Sequence, residues 1–197
     1  MKMPYTQDLS GCFGDYGLSD ALYSALLSDT ESGLQTVRAA HGDGSLPLLR
    51  LPAARDDIET FRPVADRFRG DFADVIILGT GGSSLGGQTL YSLIDRGFGP
   101  PEGTPRLHFM DNVDPDTFAA LLGALDLART GVIAISKSGT TAETLTQLAV
   151  IVDAMRRTIG EEAIGRHIVA VTEPKESVLA TLADRFGMDR LDHDPLV

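Results

Sequence analysis

The sequence predicts a doubly wound α/β domain, a parallel sheet of about five strands with helices on both faces, preceded by a helical extension. Three observations lead there. Short, apolar, β-branched runs recur after residue 70, helical patterns alternate with them, and loops rich in glycine or hydroxyls follow two of the runs. Strands that are apolar along their whole length need cover on both faces, and a parallel sheet built through helical crossovers supplies it.

Residues 1–70 read as the helical extension and 71–197 as the sheet domain. In the extension, LSDALYSALL (18–27) and DDIETFRPVADRFR (56–69) carry apolar residues at helical spacing. In the second, Ile58, Phe61, Val64, Ala65 and Phe68 would share a face, with Pro63 mid-pattern, where it removes a donor and crowds the preceding turn. HGDGSLP (41–47) reads as a loop. Strands are expected at ADVIILG (73–79), RLHFM (106–110), GVIAIS (131–136) and HIVAVT (167–172), with a short fifth at DRL (189–191). Helices are expected near 84–96, 115–126, 141–159 and 176–186, and GFGPPEGTP (97–105) is a surface connection. Asp114 is the expected N-cap of the second of these helices, with Pro115 at its first position.

The totals bound the function. A chain of 197 residues with a 43% apolar and 23% charged share is an ordinary globular length and composition. Its net charge of −11 argues against nucleic acid or an anionic membrane as main partner, since both need a basic face. A small anion is compatible with that charge, provided backbone N–H groups and a lysine create local positive potential. The one cysteine, Cys12, excludes an internal disulfide and reads as buried or incidental. No apolar leader and no run of about 20 apolar residues is present, so a cytoplasmic location is expected. His41, His108, His167 and His193 are scattered, without metal-ligand spacing, and no metal or cofactor is expected. His108 and His167 fall in strand patterns and read as structural.

Two loops carry the chemistry. In GTGGSSLGG (79–87), Gly79, Gly81 and Gly82 let the backbone turn and approach a ligand, and Ser83 or Ser84 is placed to cap the helix or to donate to a phosphate. It is not a dinucleotide fingerprint, because serine stands at 84 where the third glycine belongs, and it is not a P-loop, because Gly87 and Gln88 replace the lysine and hydroxyl. The second loop, ISKSGTTAET (135–144), crowds Ser136, Ser138, Thr140 and Thr141 before a helix. Thr140 to Glu143 has capping-box spacing, which explains two of its residues without a ligand. The other hydroxyls, and Lys137 at the positive end of a helix, fit an anion site better.

GTGGSSLGG, FMDNVDPDTF (109–118) and SKSGTTAET (136–144) stand in the order and spacing of the first sugar-isomerase (SIS) domain of the glucose-6-phosphate isomerase family, which the chain resembles. S-x-S-G-x-T marks SIS domains in general; the Asn-Val-Asp-Pro segment and Glu143-Thr144 narrow the likeness to the isomerase. The resemblance implies a flavodoxin-like SIS sheet in which Ser136, Lys137, Ser138 and Thr141 surround a sugar phosphate. Gly82 and Ser83 would line the sugar side, and Thr140 and Glu143 would be the structural cap of the phosphate loop. Many members have Thr-Phe where this chain has Ser138-Gly139.

The implied parent reaction interconverts glucose 6-phosphate and fructose 6-phosphate in glycolysis and gluconeogenesis without a cofactor, in an expected homodimer. That chemistry needs a base between C2 and C1, a ring-opening group and a cation for the enediolate. In the family these lie later than the stretch resembling RLDHDPLV (190–197), and so does the second SIS domain. The chain is therefore expected to hold the phosphosugar but to carry no catalytic residue and little activity. Glu143 is read as a brace rather than as the base. The alternative is a stand-alone SIS module that senses a phosphosugar, and a third reading, an NAD-binding protein, suffers from the broken fingerprint.

Overall fold

A computed structural model describes residues 6–197, so nothing is described of the initial MKMPY. The chain forms two compact units, one reaching to Ala54 and the other comprising Arg55–Pro195 with Val197.

The first unit is dominated by helix α1 (Asp20–Asp43). The Ser19 side chain accepts from Leu22 N at 3.2 Å to start it, and Gly44, at φ 79°, ends it. The helix continues well past the expected 18–27 and through the start of the expected loop, because residues 28–40 contain no proline and Gly33 is tolerated within it. Arg50, in the 3-10 segment Pro47–Ala53, donates from Nε to His41 O (2.8 Å) and from Nη2 to Gly42 O (2.6 Å). Its cation thus satisfies carbonyls that the helix end leaves open. Cys12 is exposed.

The second unit begins with α2 (Asp56–Asp71), unbroken by Pro63. The carbonyl that Pro63 cannot serve belongs to exposed Glu59, where water is available. Of the expected apolar face, Phe68 is buried and Val64 packs beside it, whereas Ile58 and Phe61 are exposed. Then follow β1 (Asp74–Leu78), α3 (Gly82–Asp95), β2 (Arg106–Met110), α4 (Pro115–Ala124), β3 (Thr130–Ile135), α5 (Ala142–Thr158), the short α6 (Ile164–His167), β4 (Ile168–Thr172), α7 (Val178–Phe186) and β5 (Asp189–Asp192). All five strands are parallel, in the order β2-β1-β3-β4-β5, with Ile76 opposite His108 on one side and Val132 on the other.

Side chains alternate between the two faces, as the pleat requires. Ile76, Leu78, Val132, Ala134, Ile168 and Ala170 pack with Phe118, Leu148, Ile151, Met155 and Leu179 of α4, α5 and α7. Val75, Ile77 and Val169 face the other way, against Phe68 and Phe72. A Cβ on Gly131 would come within 2.7 Å of both of those rings, so the glycine in β3 makes room for α2. Gly87 of α3 lies against Phe109 of β2 on that same side, where a Cβ would be 3.0 Å from the ring. The doubly wound fold expected from the alternating pattern is therefore present, short fifth strand included.

His108 Nε2 meets Asp74 Oδ1 at 2.8 Å, and buried His167 meets Thr130 O through Nδ1 at 2.9 Å. Both histidines have the structural role expected of them. Asp114 caps α4, its side chain accepting from Asp116 N at 3.1 Å, with Pro115 in the first turn. Among the described residues no group of three or more histidine, cysteine or acidic side chains is placed to hold a metal, and no helix is long and apolar enough to cross a membrane.

Candidate functional site

A sheet in this order reverses direction between β1 and β3. The helix after β1 lies on one face and the helix after β3 on the other, which opens a crevice at the strands' carboxyl ends. A cleft of about 380 Å³ lies at that place. Thr80 and Ser83 line it from the loop after β1, Ser136, Lys137, Ser138 and Thr141 from the loop after β3, and Glu173 and Lys175 from the loop after β4.

The first loop turns at Gly81, with φ 54°, directly before α3. A Cβ on Gly79 would stand 3.0 Å from the Ser83 Cβ and 3.1 Å from its carbonyl oxygen, so glycine lets the chain fold back tightly. Gly82 is exposed as the first residue of α3. The two serines part ways. Ser83 lines the cleft, while Ser84 is fully buried and accepts from Gln88 Nε2 at 2.7 Å. Neither hydroxyl caps the helix, contrary to one of the two roles expected of the pair.

The second loop is organised by Ser136, which is 2% exposed. Its Oγ accepts from Gly139 N (3.1 Å) and Thr141 N (3.4 Å) and lies 2.8 Å from Thr141 Oγ1. Ser138 Oγ accepts from Thr140 N at 3.2 Å and lies 3.0 Å from Thr140 Oγ1. The loop's own amides are therefore largely served by its own hydroxyls. The expected capping box does not form. Thr141, not Thr140, is the N-cap of α5, the Thr140 hydroxyl lies against Ser138 Oγ, and Glu143 is exposed in the first turn. No side chain caps α5, which leaves its first-turn N–H groups without a side-chain acceptor. Lys137 Nζ donates to Val197 O.

Glycine at 139 is required by its surroundings. It sits at φ 69°, and a Cβ there would come within 2.0 Å of Ser177 Oγ and 2.9 Å of Thr172 Oγ1. Its carbonyl accepts from Leu179 N at 3.0 Å, which ties the loop to the start of α7.

The wall after β4 was not anticipated. Lys175 pairs with Glu173, and Glu173 N donates to Lys137 O at 3.1 Å. The bond from Lys175 holds the Glu173 carboxyl below the usual glutamate range, with Lys137 and His193 adding to the effect. TEPKES matches no phosphate motif, and only the adjacency of β3 and β4 brings it to the cleft. Thr80 was missed as well, although it stands next to the glycines singled out in its loop.

The chain is similar in sequence and fold to known proteins. The profile of the phosphoglucose isomerase family matches residues 63–192. A glucose-6-phosphate isomerase of Rubrobacter xylanophilus is 36% identical over 153 residues, which cover 76% of this chain and 35% of that protein. One from Thermus thermophilus is also 36% identical, over 87% of this chain and 40% of its own length. A crystal structure of a hypothetical protein from the same organism superposes with a TM-score of 0.71 at 34% identity, covering 88% of this chain and 41% of that one. A glucose-6-phosphate isomerase structure from Chlamydia trachomatis gives 0.61 at 26% identity, over 72% of this chain and 26% of that one. The chain thus spans about 35–40% of the length of the curated relatives it matches first, and it belongs to the phosphoglucose isomerase family.

Proposed function

We propose that this chain is the phosphosugar-binding, N-terminal part of a glucose-6-phosphate isomerase, whose whole interconverts glucose 6-phosphate and fructose 6-phosphate. One observation carries the reading: in a chain of this family, two hydroxyl-bearing loops and a lysine converge on a single cleft at the sheet's switch point. Ser138 and Thr141 offer hydroxyls, Lys137 offers charge, and the uncapped start of α5 adds its dipole and N–H groups. Charge-assisted hydrogen bonds to a phosphate are worth about 1.5–3 kcal/mol each. Ser136, buried and bonded to the loop's amides, braces the cradle from beneath. Ser83 faces the sugar from the cleft wall, with Gly82 beside it at the start of α3.

In this reading residues 71–197 are the first SIS domain, with 1–70 its helical extension. The ligand is a phosphorylated hexose, no cofactor takes part, and the parent enzyme is a cytoplasmic homodimer. Helix α3 leaves Leu85, Leu90, Leu93 and Ile94 exposed, apolar surface of the kind that assemblies cover. None of the described residues is assigned as the base, since Glu143 is an exposed first-turn carboxylate at the edge of the loop.

The test is a titration of the chain with glucose 6-phosphate, repeated on the double variant Ser138→Ala, Thr141→Ala. Removing both hydroxyls weakens binding by about tenfold or more, from roughly 1 kcal/mol for each lost bond. Unchanged affinity in the double variant removes these residues from the site.

A further inference from the structure

Three charged side chains line the cleft, and one of them is a carboxylate, which repels a phosphate. Its position is fixed by the backbone. Glu173 N and Thr172 Oγ1 both donate to Lys137 O, at 3.1 and 3.3 Å, and Lys175 N returns to Glu173 O at 2.7 Å. The loop after β4 is thereby stitched to the loop that carries Lys137. The Glu173 side chain is 12% exposed and that of Lys175 is 55% exposed. The carboxylate is the more buried member of the pair and the ammonium the more exposed one.

We infer that Glu173 sets the anion affinity of the cleft: in the empty cleft it holds Lys175 at the wall, and an incoming phosphate ester takes that cation over from it. The inference rests on the phosphosugar reading above. Glu173 is charged at neutral pH, as any glutamate at or below its ordinary value is, and the bond from Lys175 lowers its pKa further. While it is there, a dianion in the cleft meets its repulsion and has to compete with it for Lys175. Without Glu173, Lys175 and Lys137 face the phosphate unopposed. Without Lys175, the carboxylate keeps only the weaker field of Lys137 and His193. The two residues are therefore non-additive, and their joint removal restores the original charge balance.

The experiment titrates the full chain with glucose 6-phosphate and with inorganic phosphate, in wild type, Glu173→Gln, Lys175→Met and the double variant. Glu173→Gln tightens both ligands by about three- to tenfold at low ionic strength, Lys175→Met weakens them by a similar factor, and the double variant falls between. High salt compresses these differences, because the cleft is open to water. Damage to the fold cannot produce the gain. Glu173→Gln binding no more tightly than wild type overturns the inference, and does so alone if Ser138→Ala, Thr141→Ala still weakens binding. Tighter binding in Glu173→Gln with no effect of the hydroxyl pair supports the charge role and removes the hydroxyl reading. Failure of both wild type and Glu173→Gln to bind either ligand overturns both.

Discussion

Gly139→Ala tests how tightly the loop after β3 is built against its neighbours. Alanine at φ 69° costs about 1 kcal/mol for the left-handed backbone alone. The new Cβ would lie 2.0 Å from Ser177 Oγ and 2.5 Å from Ser177 Cβ, so Ser177 has to move. Overpacking of this kind costs about 1–3 kcal/mol. Ser177 also caps α7, accepting from Ala180 N at 3.2 Å, and a displaced cap adds up to about 1 kcal/mol. The expected loss is therefore about 3 kcal/mol, read as a lower urea midpoint with an unchanged slope. Adding Ser177→Gly removes the two closest contacts at a cap cost of a few tenths of a kcal/mol, leaving Thr172 Oγ1 at 2.9 Å. About half the stability returns in that double variant. A loss below about 0.5 kcal/mol in Gly139→Ala, or no recovery on adding Ser177→Gly, refutes the steric reasoning.

Asp114 should give α4 a pH-dependent start. Its carboxyl is held below the usual aspartate range, first by Thr117 Oγ1 at 2.8 Å and then by Asp116 N. A folded pKa below the unfolded one stabilises fully above the unfolded value and is lost as pH falls through the folded value, here below about pH 4. Asp114→Ala is accordingly less stable than wild type at neutral pH, with the gap closing in acid, whereas a gap that stays constant down to pH 2 would contradict this. The isolated chain should show negligible glucose-6-phosphate isomerase activity in a coupled assay, and robust turnover would place a base among residues 6–197 that we have not assigned.

Much of this molecule is legible in its residues because the signals are redundant. Val75–Leu78, Val132–Ile135 and Ile168–Val171 are apolar on both sides, and only a covered parallel sheet accommodates such runs. The strand at Asp189–Asp192 reads poorly because it is an edge, with Arg190 and Asp192 exposed. Helix α1 runs well past its apolar start because α-helix needs no buried face where propensity is adequate, and all its leucines remain exposed. The loop after β3 shows the same division. Its residues were legible from type and spacing, but the helix starts one residue later than the capping-box spacing implies, with the Thr140 hydroxyl turned to Ser138. Glu173 and Lys175 were not legible, since a wall contributed by strand adjacency leaves no local motif.

The phosphosugar site proposed at the switch-point cleft is open to direct measurement. Backbone amide chemical shifts recorded while the chain is titrated with glucose 6-phosphate test it most directly. Saturable shifts are expected at Thr80 to Ser83, Ser136 to Thr141 and Glu173 to Lys175, with uncharged glucose producing none of comparable size. Shifts centred instead on the neighbouring cleft lined by Thr181, Asp184 and Arg190, or no saturable shifts at all, would contradict it.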